Sequence, residues 1–282
     1  MDKKRVISVL GLGYIGLPTA SLLAQSGYST FGFDINEDHI ESLKSGKISM
    51  LEPDLGKILL ASLDSGKFIP TKKLPLSDVF IICVPTPFLE QNGEKRADLS
   101  FVANACSMVG KRLSSGNLVI LESTVPPGTT TGLVRRILEE ESKLLSGKDF
   151  FLAHCPERVL PGKIVQELRK NDRVIGVSDE NSGKLCREIY GSIVTEGGFF
   201  LTDPTTAEMC KLVENTYRDI NIAFANELSM ICDSLGIDTR ELIRLANRHP
   251  RVDILNPGSG VGGHCLAVDP WFIVEKSPQM SK

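Results

Sequence analysis

The first 34 residues constrain the fold more than any other stretch. Arg5-Val6-Ile7-Ser8-Val9-Leu10 is a short apolar run rich in β-branched residues, which reads as a buried strand. It feeds Gly11-Leu12-Gly13-Tyr14-Ile15-Gly16, then a helical run from Leu17 to Ser26 stopped by Gly27, then a strand from Thr30 to Phe33 that ends in Asp34. Strand, GxGxxG turn, helix, strand, and an acid 23 residues after the first glycine are the parts of a dinucleotide-binding unit. The first glycine makes the turn, the second admits a pyrophosphate, and the third lets helix pack on strand, while the helix N-terminus attracts phosphates. Asp34 is placed to accept hydrogen bonds from the adenosine ribose hydroxyls. Its carboxylate repels a 2′-phosphate, which favours NAD over NADP. A glycine-rich turn in a nucleotide-free α/β domain is the competing reading, and the full context counts against it.

Helical stretches then alternate with apolar strands. Val79 to Val84 ends at Pro85-Thr86-Pro87, Asn117 to Leu121 ends at Glu122-Ser123-Thr124, and Phe150 to Ala153 ends at His154-Cys155-Pro156-Glu157-Arg158. This alternation predicts a mostly parallel, doubly wound, Rossmann-like α/β sheet, with ligands off the carboxyl ends of its strands. Thr86, Thr124 and Glu157 are the candidate donors and acceptors on that edge, although each alone reads equally as a cap or turn residue. Residues 89–98 are polar and read as a surface loop. Weaker strands at 173–177 and 193–201 are expected to finish the domain, giving a first domain of residues 1–201.

The second domain, 202–282, is expected to be helical. Asp203-Pro204-Thr205 opens a helix without Gly or Pro until Gly236, about 30 residues or roughly 45 Å. Leu212, Val213, Tyr217, Ile220, Phe224, Leu228 and Ile231 recur at threes and fours, as in a packed helix. Lys211 and Asn215 share one face, with Glu208 and Asp219 on the same flank; the competing reading is a solvated charged face. A helix of this length in an α/β chain connects domains or pairs with a partner. A shorter helix follows Asp238 to about Asn247, and Arg248-His249-Pro250-Arg251 then leads into Gly258-Ser259-Gly260-Val261-Gly262-Gly263-His264-Cys265. Asp269-Pro270 reads as another helix start, so Cys265 lies just upstream of a helix N-terminus, a place that favours the thiolate. Taken alone, it reads as a small buried cysteine beside a tight turn.

Composition narrows the function class. A net charge of -3 gives no support to nucleic-acid binding, and 41% hydrophobic with 24% charged residues is ordinary for a globular chain. The seven cysteines (83, 106, 155, 186, 210, 232 and 265) are scattered and lack CxxC spacing, so neither a metal site nor a disulfide framework is expected. A polar start and the absence of any long apolar run point to a cytoplasmic setting with no membrane span.

In order along the chain, GLGYIG (11–16), VPTP (84–87), STVPPGT (123–129), CPERVLPG (155–162), AEMCKLVENTYRDINIAFANE (207–227) and GVGGHCLAVDP (260–270) resemble the UDP-glucose/GDP-mannose dehydrogenase family. The resemblance implies oxidation of a sugar C6 alcohol to a carboxylate with two NAD. Hexose-type members carry serine where His264 stands and lysine where Val268 stands, so the implied substrate is an N-acetylated sugar, UDP-N-acetylmannosamine ahead of UDP-N-acetylglucosamine. By the same resemblance Cys265 is the nucleophile that holds the aldehyde as a thiohemiacetal and then a thioester. Lys211 and Asn215 stabilise the developing alkoxide, Asp269 helps place Lys211 and a water, and Glu157 is a candidate base for hydrolysis. Thr124 is placed near cofactor and substrate. Gly11, Gly13, Tyr14, Ile15, Gly16, Asp34 and Thr86 join it around the cofactor, and Arg158, Arg251 and Gly262 are implied on the substrate side, Arg251 across a dimer interface. A second acid of the hexose-type members falls on Pro161 here, so its role does not transfer.

The family continues with a third, nucleotide-sugar-binding domain, whereas this sequence stops at Lys282. Three readings follow: a fragment, one half of an enzyme completed by a separate C-terminal piece, or a non-catalytic NAD-binding remnant that dimerises through its long helix. A plain two-electron hydroxyacid-type dehydrogenase is a further alternative, and it predicts one NADH per substrate. The implied homodimer uses the long helix.

Overall fold

Alternation along the first strand sets up a sheet covered on both faces. Ile7 and Val9 pack into one apolar cluster and Leu10 into another, all three with no exposed surface. The computed structural model describes residues 4–48, 50, 52–91, 94–263 and 266–280. The chain divides into two compact units: Met1–Thr86 with Asp98–Glu208, and Pro87–Ala97 with Met209–Lys282.

The strands are β1 (Val6–Leu10), β2 (Ser29–Phe33), β3 (Phe68–Thr71), β4 (Val79–Ile82), β5 (Phe88–Gln91), β6 (Glu94–Ala97), β7 (Leu118–Leu121), β8 (Phe151–His154), β9 (Arg173–Val177) and β10 (Phe199–Thr202). The helices are α1 (Gly16–Gln25), α2 (Glu37–Lys44), α3 (Leu55–Asp64), α4 (Ser100–Gly110), α5 (Arg135–Ser142), α6 (Ile164–Lys170), α7 (Glu180–Tyr190), α8 (Pro204–Leu235), α9 (Thr239–Ala246) and α10 (Asp269–Lys276).

In the first unit one sheet runs β10-β9-β8-β7-β4-β1-β2-β3. From β8 to β3 every pairing is parallel. β9 then pairs antiparallel with β8, and β10 parallel with β9. The α1, α3, α6 and α7 side chains fill one face, and those of α4 and α5 fill the other. Strand order reverses between β1 and β4, which is where open α/β sheets bind ligands. The weaker strands at the chain's far edge differ from expectation in one respect. Only Phe199–Thr202 is extended, because Ile193 and Val194 close the turn after α7, both donating to the Tyr190 carbonyl, and are buried there.

The second unit holds the larger correction. Residues 89–98 are not a plain loop: β5 and β6 pair antiparallel, with Gln91 opposite Glu94. The two intervening residues, Asn92-Gly93, lie outside the described residues. The hairpin is polar because it buries little. Phe88 and Ala97 reach the small cluster of Leu212, Val268 and Phe272, and the Lys95 ammonium stands 4.5 Å from the Trp271 ring centre. The backbone N–H of Ala97 donates to Glu275 of α10 (2.8 Å). The helix α8 runs its full expected length, 32 residues. Its apolar stripe is not packed within the chain as expected: Leu212 is fully buried, but Val213, Tyr217, Ile220, Phe224 and Ile231 are each 46–64% exposed.

His154 closes β8 with no exposed surface, and neither ring nitrogen has a hydrogen-bond partner among the described residues. Burial lowers its pKa to about 3. The folded state therefore keeps His154 neutral, while the unfolded chain takes up a proton near pH 6.5. Stability from this site is intact above about pH 6.5 and falls progressively as pH drops towards about 3, by roughly 2 kcal/mol at pH 5. Urea melts of wild type and His154→Leu at pH 7 and pH 5 measure it. The variant is expected to lose about 2 kcal/mol less between the two pH values, and equal losses would remove His154 as a source of acid sensitivity.

Candidate functional site

The cofactor cradle is built by close backbone approach at the switch point. Gly11 has φ +88°, and a methyl group on it would stand 2.7 Å from the Cys83 carbonyl oxygen. A methyl on Gly16 would sit 1.8 Å from the Gly11 oxygen and 3.1 Å from Cys83 Cβ, so only glycine lets α1 reach the sheet. At Gly13 the same methyl meets nothing within 4 Å, which leaves room for a ligand against the backbone. No side chain caps α1, because Ile15 stands at its N-cap. First-turn N–H groups without a capping side chain are the donors that phosphates take. Asp34 is tied to this turn: Oδ2 accepts from Leu12 N and Oδ1 from Asn36 N, both at 2.9 Å. Its other lone pairs suit ribose hydroxyls. These features fit a dinucleotide. Tyr14 is 62% exposed beside the turn, and Ile15 and Thr86 are half-buried.

Behind the strand ends lies a buried charge network that the sequence reading did not anticipate. Glu157 and Arg173 form an ion pair at 2.6 Å, and Arg173 stands 4.0 Å from Glu122. Tyr190 donates to Glu122 (2.5 Å), as does the Cys83 thiol (3.0 Å), and the Arg173 guanidinium stacks 4.7 Å from the Tyr190 ring centre. Two carboxylates thus share one guanidinium away from water. Burial raises the Glu122 carboxyl, against the pull of Arg173. Glu157 also accepts from the Arg158 backbone N–H (2.7 Å). Glu157 is thus held by two donors, a guanidinium and a backbone N–H. Thr124 is half-buried on the same edge, and the half-buried Arg158 donates to the Asp172 carbonyl (3.4 Å). Burial pushes the Cys106 and Cys155 thiols up to about 12, and raises Cys83 and Cys186 well above the usual range. None of these four is a thiolate nucleophile at neutral pH.

In the second unit α8 brings Lys211 and Asn215 to one buried face, at 9% and 2% exposure. Asp269 is the first residue of α10 and is 4% exposed. It does not cap that helix; instead it accepts a hydrogen bond from Asn215 Nδ2. Burial raises the Asp269 carboxyl, while Asn215, Lys211 and Arg218 pull it back down. Arg218 donates to Asn215 Oδ1. The expected flank partner was Asp219, but Arg218 is the residue that joins the stripe. Its offset of seven residues from Lys211, two helical turns, was the available signal. The segment leading to the cysteine loop is pinned to the same helix: Asn221 pairs with the Asp253 carbonyl and the Leu255 N–H, and Asn226 accepts from Gly258 N (2.8 Å). Asn247 does the same for Ile254, through both its amide groups. Arg251 is exposed beside His249 (3.4 Å), and Gly262 is exposed. Cys265 and His264 lie outside the described residues.

The three glycines separate binding from folding. Gly13→Ala is expected to keep the wild-type melting temperature yet weaken NAD at least ~10-fold, since its methyl meets only the ligand's space. Gly16→Ala is expected to lower the melting temperature as well, because its methyl collides with backbone. Fluorescence titration with NAD and thermal melts of both variants check this; unchanged NAD affinity in Gly13→Ala would remove the pyrophosphate from that position.

Known proteins extend the geometry. The NAD-binding-domain profile of the UDP-glucose/GDP-mannose dehydrogenase family matches residues 5–194, and the central-domain profile of the same family matches 205–281. A UDP-N-acetyl-D-mannosamine dehydrogenase of Methanocaldococcus jannaschii is 52% identical over 96% of this chain and 62% of its own. An NDP-N-acetyl-D-galactosaminuronic acid dehydrogenase of Ralstonia solanacearum is 47% identical over 99% of this chain and 66% of its own. The solved structure of the UDP-D-ManNAc dehydrogenase of Pyrococcus horikoshii superimposes with a TM-score of 0.91 at 46% identity, covering 97% of this chain and 65% of that one. The chain therefore spans a little under two thirds of the length of these relatives. With both profiles matched in order, and with the turn, the sheet and the α8 stripe in place, this chain belongs to the UDP-glucose/GDP-mannose dehydrogenase family and carries its NAD-binding and central domains.

Proposed function

We propose that this chain serves an NAD-dependent four-electron oxidation of UDP-N-acetyl-D-mannosamine at C6, giving UDP-N-acetyl-D-mannosaminuronate. The observation that carries the proposal is the buried Lys211–Asn215–Asp269 group, a cation, a neutral donor and a carboxylate on two helices. A developing alkoxide needs such a cation and donor. The 52% identity to an archaeal enzyme of that name supports this sugar. The 47% identity to an NDP-N-acetyl-D-galactosaminuronic acid dehydrogenase supports a second reading, a different N-acetylated sugar at the same site.

Gly11, Gly13, Gly16, Tyr14, Ile15, Asp34, Thr86 and Thr124 would hold NAD, which would supply a hydride acceptor for each of two oxidations. The chain's own residues do the rest. Lys211 and Asn215 hold the sugar oxygen as its proton leaves. Cys265 adds to the aldehyde carbon, forming a thiohemiacetal, and the second oxidation leaves a thioester. Water attacks that carbon, the C–S bond breaks, and the thiol and a carboxylate are released. Asp269 fits the placing and deprotonation of that water better than Glu157. Its carboxyl is raised by burial, whereas Glu157 is committed to Arg173. Glu157 then orients the strand edge, and Arg158, Arg251 and Gly262 contact the sugar nucleotide. The exposed apolar stripe of α8 is the surface for a second copy of the chain, and a separately made C-terminal piece is the other partner to supply.

The test is to mix the purified chain with NAD and UDP-N-acetylmannosamine, with UDP-N-acetylglucosamine and UDP-N-acetylgalactosamine alongside, and to follow NADH. Two NADH per sugar are expected, abolished in Cys265→Ser, with Lys211→Ala reducing kcat by about 100-fold or more. One NADH per sugar, unaffected by the cysteine change, would replace the proposal with a two-electron dehydrogenase. NAD binding without turnover, even after a C-terminal piece is added, would favour the non-catalytic reading.

A further inference from the structure

The Asn215 carboxamide is held at both ends by groups of opposite hydrogen-bonding character. Its Nδ2 donates to Asp269 Oδ2, and its Oδ1 accepts from Arg218 Nη2. A guanidinium has donors only, and an ionised carboxylate has acceptors only. Turning the amide over would set NH2 against guanidinium and C=O against carboxylate, losing both bonds at once. Asn215 is 2% exposed, so water does not stand in for either partner. Lys211, Asn215 and Arg218 fall at i, i+4 and i+7 on α8, one stripe along one face. One Nδ2 hydrogen remains for a third group, and it is a donor by construction.

We propose that Arg218 is a positioning residue: by occupying Asn215 Oδ1 it turns the carboxamide so that both N–H donors face Asp269 and the reacting oxygen. The inference rests on the role given to Asn215 under Proposed function. Burial raises the Asp269 carboxyl, so that end of the clamp is the one that titrates. A guanidinium never loses its proton in this range, so its end of the clamp is permanent.

The test uses the whole chain with Arg218→Ala, Arg218→Lys, Asn215→Ala and the double variant Arg218→Ala/Asn215→Ala. Arg218→Ala is expected to lower kcat by about 100-fold with KM changed less than about 3-fold, as for a misplaced rather than a missing contact. Arg218→Lys, which keeps one donor, recovers most of that loss. The double variant is expected to be no slower than Asn215→Ala, because Arg218 acts only through that side chain. A second readout needs no turnover: in 15N spectra, the Asn215 side-chain amide protons exchange with water at least ~10-fold faster in Arg218→Ala. Additive losses in the double variant, a defect confined to KM, or unchanged amide exchange would each overturn the proposal. If the wild-type chain turns over no sugar, that failure counts against the proposed reaction, and amide exchange still decides whether Arg218 holds Asn215.

Discussion

The contact between Gly16 and the carbonyl of Gly11 sets the position of everything in the first unit. A methyl there would be 1.8 Å from oxygen, so α1 can lie against the β1–β4 junction only if that side chain is a hydrogen atom. Because α1 is that close, its N-terminus points at the turn and Gly13 stays open to a ligand. Because the turn is that tight, Cys83 becomes the floor of the cradle. Gly11 and Gly16 therefore serve packing while Gly13 leaves its space open, so GxGxxG is a statement about fold first.

Charge is arranged differently in the two units. Beneath the strand ends of the first, Glu122 and Glu157 share Arg173 with almost no access to water. Removing one partner of such a group leaves an uncompensated buried charge, which costs several kcal/mol, so the network fixes the strand edge. In the second, the Asn215 amide lies between Arg218 and Asp269, and the charge of Lys211 also acts on Asp269. Here an amide, which has no charge of its own, is oriented by charged neighbours. That gives a donor in a fixed direction to meet a developing negative charge.

Most elements were legible because their signals are local. The GxGxxG unit, the central strands and the 32-residue α8 each follow from a run of neighbouring residues with one clear period. The hairpin of β5 and β6 was missed for the converse reason. Its strands are polar, since only Phe88 and Ala97 meet apolar neighbours, and those neighbours lie more than 100 residues away in the chain. Likewise the exposed stripe of α8 carries the period of a packed helix, and no sequence pattern distinguishes packing within one chain from packing against another. The pairing of Arg173, Glu122 and Tyr190 was not legible, because it depends on β7, β9 and α7 meeting at one point.

The sequence by itself determined the family, the GxGxxG turn with Asp34 after it and the residue types at the α8 stripe, because each is a matter of chemistry at fixed spacing. The tertiary structure alone decided which partners those residues take. It committed Glu157 to Arg173, gave Asp269 to Asn215 instead of a helix cap, and put Arg218 rather than Asp219 beside the amide. Hydrogen bonds and desolvation depend on distance in space, and a sequence records distance only along the chain.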